Sequence, residues 1–245
     1  MTKTRGVDIR FFNKTTFIDG LFYISFLVTV VVSICLEKEQ LAYVLPIVIF
    51  SIIFKYINLT KKRANPLFII ALLAILVSDL LASSCFENCF VWIAVFASIY
   101  LICCALSLKK YLHKGKLKSL LSFSVIVSAI LIFYVLYSVL DLVISFLPGI
   151  DVFFLIICSV SLIIYNITVA IIYIRDTYHN GTILLASSIF TFFQITLIVI
   201  NEFLLYDKTF TVLSVSCHII AMYLFMNFIA KTKVVKLEDI KEKFI

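Results

Sequence analysis

The sequence predicts an all-α, polytopic membrane protein with eight transmembrane helices and both termini cytoplasmic. Three observations carry that expectation. Of 245 residues, 63% are hydrophobic and only 14% charged, where a soluble domain carries about 25% charged residues. The apolar residues run in blocks of about 20, the length at which a helix rising 1.5 Å per residue crosses a hydrocarbon core about 30 Å thick. The cations fall on alternate connections between those blocks. Composition and block length exclude a soluble globular enzyme, a disordered chain and a β-barrel. Helices are required because lipid offers the backbone no hydrogen-bond partner.

In chain order the apolar segments are 17–36, 41–59, 66–86, 88–108, 119–140, 151–173, 181–205 and 209–230. The expected organisation is a basic cytoplasmic N-terminus (1–16), a transmembrane domain (17–230) and a charged cytoplasmic tail (231–245). The first block lacks a small-residue cleavage site and reads as a signal anchor that stays as a helix. The N-terminus carries Lys3, Arg5, Arg10 and Lys14. The second connection has Lys61, Lys62 and Arg63, with Lys55 just inside the preceding helix, where its stem is expected to snorkel to the headgroups. The fourth has Lys109, Lys110, Lys114, Lys116 and Lys118, the sixth Arg175, and the tail Lys231, Lys233, Lys236, Lys241 and Lys243. Nineteen cations thus face one side and only Lys38 and Lys208 the other, the positive-inside pattern. The net charge of +7 is explained by insertion, and no nucleic-acid partner is expected. The sequons at Asn13, Asn58, Asn166 and Asn180 all fall in the bilayer or on the cytoplasmic side.

An ionisable residue inside a span is expensive and is a functional candidate by default. Asp79 lies about seven residues, roughly 10 Å, below the outer end of the third segment. Its companions Ala71, Ala74, Ser78 and Ala82 are small residues at helical spacing, which suits tight packing in the bundle. Gln194 sits near the middle of the seventh segment, and Asn201 and Glu202 near its outer end. His218 lies roughly 14 Å into the eighth. Asp79, Gln194 and His218 therefore share a depth in the outer half of the bilayer. Each also has a plainer reading as a structural hydrogen-bond former, and Glu202 as a snorkelling rim residue. Glu87, Asp141, Asp151 and Asp207 border connections and read as solvated helix ends.

Cys35, Cys103, Cys104, Cys158 and Cys217 lie within spans and read as small hydrophobes. Cys85 and Cys89 flank an outward turn, where a disulfide is open if that side is oxidising. No zinc-type spacing, phosphate loop or nucleophile elbow occurs, so neither metal nor cofactor is expected.

Eight spans with an Asp late in the third resemble the YhhN family, whose members include lysoplasmalogenases. The best local match is Leu76-Val77-Ser78-Asp79-Leu80-Leu81, where the family has a Gly-Asp pair. The resemblance covers roughly 41–230 and departs from the family at several positions. Leu45-Pro46 keeps a family Pro without its Lys, Tyr100 stands where the family has His, and Phe193-Gln194 replaces a Ser-Asp. A slip of two helical turns brings Glu202 to that second carboxylate, and His218 takes a family Tyr position.

The resemblance implies hydrolysis of a lysophospholipid vinyl ether, with Asp79 as acid, Glu202 as second carboxylate and His218 in support. Tyr100, Gln194 and Asn201 would then bind substrate. The alternative is a non-catalytic protein that binds a lipid or amphiphile, or a sensor component. A transporter is disfavoured because no span has a central Gly break. The expected surroundings are membrane lipid and the expected location a cell membrane, the cytoplasmic membrane in a bacterium. The sequence specifies no oligomeric state.

The topology makes a direct prediction. With the seven native cysteines replaced, a membrane-impermeant thiol reagent added from outside labels a cysteine at position 145 and not one at position 64. The reverse result would invert the orientation.

Overall fold

The computed structural model describes residues 17–112, 123–175, 178, 180–204 and 206–232, with the side chains of 62 and 123–129 excepted. The N-terminus 1–16, most of the fourth connection and nearly all of the tail lie outside the described residues. Eight α-helices occur among those described: α1 (Phe17–Cys35), α2 (Leu41–Thr60), α3 (Pro66–Ser84), α4 (Phe86–Ser107), α5 (Phe123–Ile144), α6 (Gly149–Ile174), α7 (Gly181–Phe203) and α8 (Lys208–Lys231). Seven of them, all but α5, are long and apolar enough to cross a membrane. This is a multi-pass helical membrane protein.

Helix ends agree with the apolar segments to a few residues, and α5 differs most. It runs to Ile144, beyond the expected 140. Leu142, Val143 and Ile144 continue the apolar run, and a single exposed Asp141 does not stop it. Local chemistry sets the other boundaries. Asn65 caps α3 by accepting from the Leu67 N–H at 3.1 Å, with Pro66 at the first helical position. Asp207 caps α8 through the Thr209 N–H at 2.7 Å. That bond holds the Asp207 carboxyl below its usual range. The cap is therefore at full strength above ordinary carboxylate pKa values and is lost as pH falls through the lowered one.

Six helices close a ring in the order α2–α3–α4–α6–α7–α8, each packed on the next and α8 back on α2. Of the other two, α1 lies along α2 and α8, and α5 along α7. Large apolar side chains are exposed along the outer faces of the helices, as a lipid surrounding permits, and on α1 the inward face is mostly small or polar. On α1 the buried residues are Phe22, Ser25, Thr29 and Ser33, while Ile24, Leu27, Val28, Val31 and Ile34 are exposed. The hydroxyls on this stripe donate to carbonyls of their own helix, as Thr29 does to Ser25 at 2.8 Å.

The two ends of the bundle are packed differently. Toward the Tyr111 end, Tyr56, Phe68, Tyr111, Tyr165, Phe225 and Phe228 are fully buried. Their rings meet edge-on or tilted, as Tyr56 and Phe68 do at 4.9 Å. The Tyr56 hydroxyl also accepts from the Asn65 N–H at 2.7 Å, tying α2 to the start of α3. Toward the Lys38 end the bundle holds cavities instead.

Lys55 corrects a sequence expectation. Its ammonium does not snorkel but pairs with Asp19 of α1 at 2.6 Å and donates to the Tyr223 hydroxyl at 3.2 Å. The rings of Tyr223, Phe22 and Tyr23 stand at 4.6, 5.5 and 5.8 Å from it. A carboxylate within reach and three nearby aromatic rings stabilise the charge where it lies.

This cluster joins α1 to the ring, and its loss has a measurable cost. Asp19→Asn leaves the Lys55 charge buried and lowers stability by about 3 kcal/mol. The double substitution Asp19→Leu, Lys55→Met recovers most of that loss. Unfolding in mixed detergent micelles measures both.

Candidate functional site

The site begins with one bond across the ring. Asp79 on α3 and His218 on α8 are both buried, 9% and 4% exposed, and the Asp79 Oδ2 to His218 Nε2 distance is 2.9 Å. The small residues Ala71, Ala74 and Ser78 are buried on the same helix, so α3 sits close to its neighbours. The Ser78 hydroxyl donates to the Ile93 carbonyl of α4 at 3.2 Å. Ser83 donates to the Asp79 carbonyl at 2.6 Å. On α8, Thr211, Ser214 and His218 are buried at a spacing that gives one polar stripe. Within the protein, His218 Nδ1 is buried and has no hydrogen-bond partner.

Five of the six expected site residues line one cavity of about 60 Å³: Asp79, Gln194, Asn201, Glu202 and His218. Lys38, Ser83, Thr211 and Ser214 line it with them. That volume admits a few water molecules or a small polar group. Glu202 forms an ion pair with Lys38 at 2.5 Å, their side chains 14% and 21% exposed. Glu202 is thus neither a free base nor a snorkelling rim residue. The Lys38 ammonium also stands 4.7 Å over the Phe86 ring. Asn201 is engaged in the α7–α8 turn. Its Oδ1 accepts from the Asp207 N–H at 2.9 Å and its Nδ2 donates to the Thr211 hydroxyl at 3.1 Å. That bracket fixes α7 against α8 and with them Glu202 and His218.

The sixth residue, Tyr100, lies elsewhere. It is buried on α4 and lines a second, mostly apolar chamber of about 90 Å³. Asp79, Ala82, Gln194 and Ile198 line both spaces and form the wall between them. Sequence reasoning missed Lys38, Thr211 and Ser214. The hydroxyl stripe that leads to His218 was the available signal for the latter two. Lys38 had none, because its approach to Glu202 depends on how the α1–α2 turn folds over the ring.

At the same end the sulfurs of Cys85 and Cys89 are joined in a disulfide with Cα atoms 5.6 Å apart. Among the described residues no group of three or more His, Cys, Asp or Glu could hold a metal ion. Chemically the arrangement offers a hydrogen-bonded carboxyl–imidazole pair at Asp79 and His218, an amide at Gln194 and a charge pair at the cavity edge.

No family model, curated protein or solved structure matches the chain. What the site can do is therefore argued from its geometry.

A double-mutant cycle tests the central contact. Asp79→Leu or His218→Leu alone strands the other polar group and costs about 2 kcal/mol. The double substitution costs less than the sum of the two, by about 1 kcal/mol or more in thermal or denaturant unfolding.

Proposed function

We propose that this chain is a membrane-embedded acid–base hydrolase of the YhhN kind, acting on the vinyl ether of a lysophospholipid. The observation that supports the reading is the convergence of Asp79, His218, Gln194 and Glu202, from three helices, on one cavity. The reading includes eight spans with cytoplasmic termini, which puts the cavity in the outer half of the bilayer. The Cys85–Cys89 disulfide suits an oxidising outer face.

In this reading the Asp79–His218 pair supplies the proton. Asp79 delivers it to the ether's β-carbon, and the double bond's electrons move to form an oxocarbenium ion. Water adds to that carbon and loses a proton to Glu202, giving a hemiacetal. The hemiacetal collapses to a fatty aldehyde and a glycerophospho-alcohol. His218 restores the Asp79 proton, and Gln194 hydrogen-bonds an oxygen of the substrate. Lys38 shares the charge of Glu202, so a phosphate that takes over Lys38 frees Glu202 to accept the water's proton.

A second reading, a non-catalytic amphiphile-binding protein, is favoured by that same ion pair. Without a ligand that displaces it, Glu202 is occupied by Lys38.

Turnover separates them. Purified protein in lipid nanodiscs releases aldehyde from lysoplasmalogen, and Asp79→Asn lowers the rate by about 100-fold or more. Release that survives Asp79→Asn removes the assigned acid. The absence of release from the unaltered chain leaves the binding reading.

A further inference from the structure

Three segments meet at the Lys38 end: the α1–α2 turn with Lys38, the start of α4 with Phe86, and the end of α7 with Glu202 and Phe203. Their contacts interlock. Lys38 pairs with Glu202 and stands 4.7 Å over the Phe86 ring. Phe203, the neighbour of Glu202, packs on Phe86 and Phe90 with ring centroids 5.6 and 5.4 Å away. Lys38 and Glu202 line the polar cavity, and Phe86 and Phe90 line the apolar chamber. One buried ring, Phe86, therefore links the ion pair on one space to the wall of the other.

The corner that holds Phe86 is slight. Cys85 is the single residue between α3 and α4. α4 starts without a side-chain cap, whereas Asn65 caps α3 and Asp207 caps α8. An uncapped start leaves N–H groups unmet and frays readily. Two bonds close this turn instead: the Cys89 N–H to the Cys85 carbonyl at 2.9 Å, and the Cys85–Cys89 disulfide. So small a covalent loop constrains the unfolded chain only weakly, which makes its effect local. Both cysteines are half-buried, while Glu87 and Asn88 between them are exposed. The bond thus lies at an open corner, with Phe86 between its two ends.

We infer that Cys85–Cys89 is a redox site for thiol–disulfide exchange with a dithiol, and that its reduction loosens the Lys38–Phe86–Glu202 lock beside the cavity. A thiolate of the dithiol attacks one sulfur and forms a mixed disulfide. The other cysteine leaves as a thiolate and takes up a proton. The dithiol's second thiol then loses its proton, attacks the mixed disulfide and releases the remaining cysteine, which is protonated in turn. Two electrons and two protons pass to Cys85 and Cys89, and the dithiol leaves as a disulfide. Freed of the bond, the first turn of α4 frays, and Phe86 withdraws from Lys38 and Phe203. The device controls access to the cavity, whatever chemistry the cavity performs.

The test uses the full chain in nanodiscs, with dithiothreitol as the dithiol. Alkylation counts thiols by mass, and amide hydrogen exchange reports local opening. Dithiothreitol adds the two thiols of Cys85 and Cys89. Exchange then quickens by about tenfold or more at 86–90, at 38–41 and at 201–204, while 222–229 at the aromatic end holds its rate. Cys85→Ala, Cys89→Ala exchanges like the reduced chain and ignores dithiothreitol. Phe86→Leu, with the bond intact, quickens 38–41 and 201–204 without reduction. Should Phe86→Leu fail to fold, the unaltered chain before and after dithiothreitol decides. No gain of thiols in the folded chain overturns the redox site. Faster exchange confined to 86–90 overturns the lock. Acceleration that includes 222–229 makes the bond a general structural staple and overturns the local device.

Discussion

A carboxyl group in the interior of a membrane protein must have a partner, and Asp79 finds His218 across the ring. Packing and capping on three helices hold that pair in place. α3 can bring Asp79 inward because Ala71, Ala74 and Ser78 let it approach its neighbours closely. α8 presents His218 at the right depth because Asp207 caps its start. Asn201 then brackets α7 to α8. The bond costs little where both partners are satisfied and much where one is removed. Within the protein His218 Nδ1 has no hydrogen-bond partner, and His218 lines the cavity, where water or a ligand can answer such a demand.

The two ends of the bundle divide the work. Close-packed rings of Tyr56, Phe68, Phe225 and Phe228 give one end the density of a protein core. The other end holds the cavities, beside a smaller packed cluster that includes Phe86, Phe90 and Phe203. Stability gathered at the aromatic end supports a cavity that would be costly on its own. The Asp19–Lys55 pair extends that support to α1, whose stripe of hydroxyls gives it little apolar surface with which to grip the ring.

The helices were legible because block length and the alternation of cations are set by the bilayer itself, which every segment obeys alike. Depth was legible too. Counting residues from the helix ends put Asp79, Gln194 and His218 at one level, and all three line the cavity. Azimuth was not legible. In spans apolar on nearly every side, periodicity does not say which face turns inward, so Tyr100 was grouped with a cavity it does not line. Partner choice was equally hidden. Lys55 pairs with Asp19 on the preceding helix and Lys38 with Glu202 on a helix distant in sequence, and no spacing rule links such pairs. The family resemblance rests on the Ser78-Asp79 segment and a few positions beyond it, and its chemistry stands or falls with the site.

The measurement that reaches the central claim most directly is the side-chain ¹⁵N spectrum of His218, labelled in the full chain and held in nanodiscs. His218→Gln identifies its signals among those of the three histidines. A hydrogen bond between Asp79 and Nε2 predicts that Asp79→Asn shifts the Nε2 resonance and changes its proton exchange, while Glu202→Gln leaves it nearly unmoved. A His218 spectrum indifferent to Asp79→Asn would contradict the pair, and with it the cavity arranged around it.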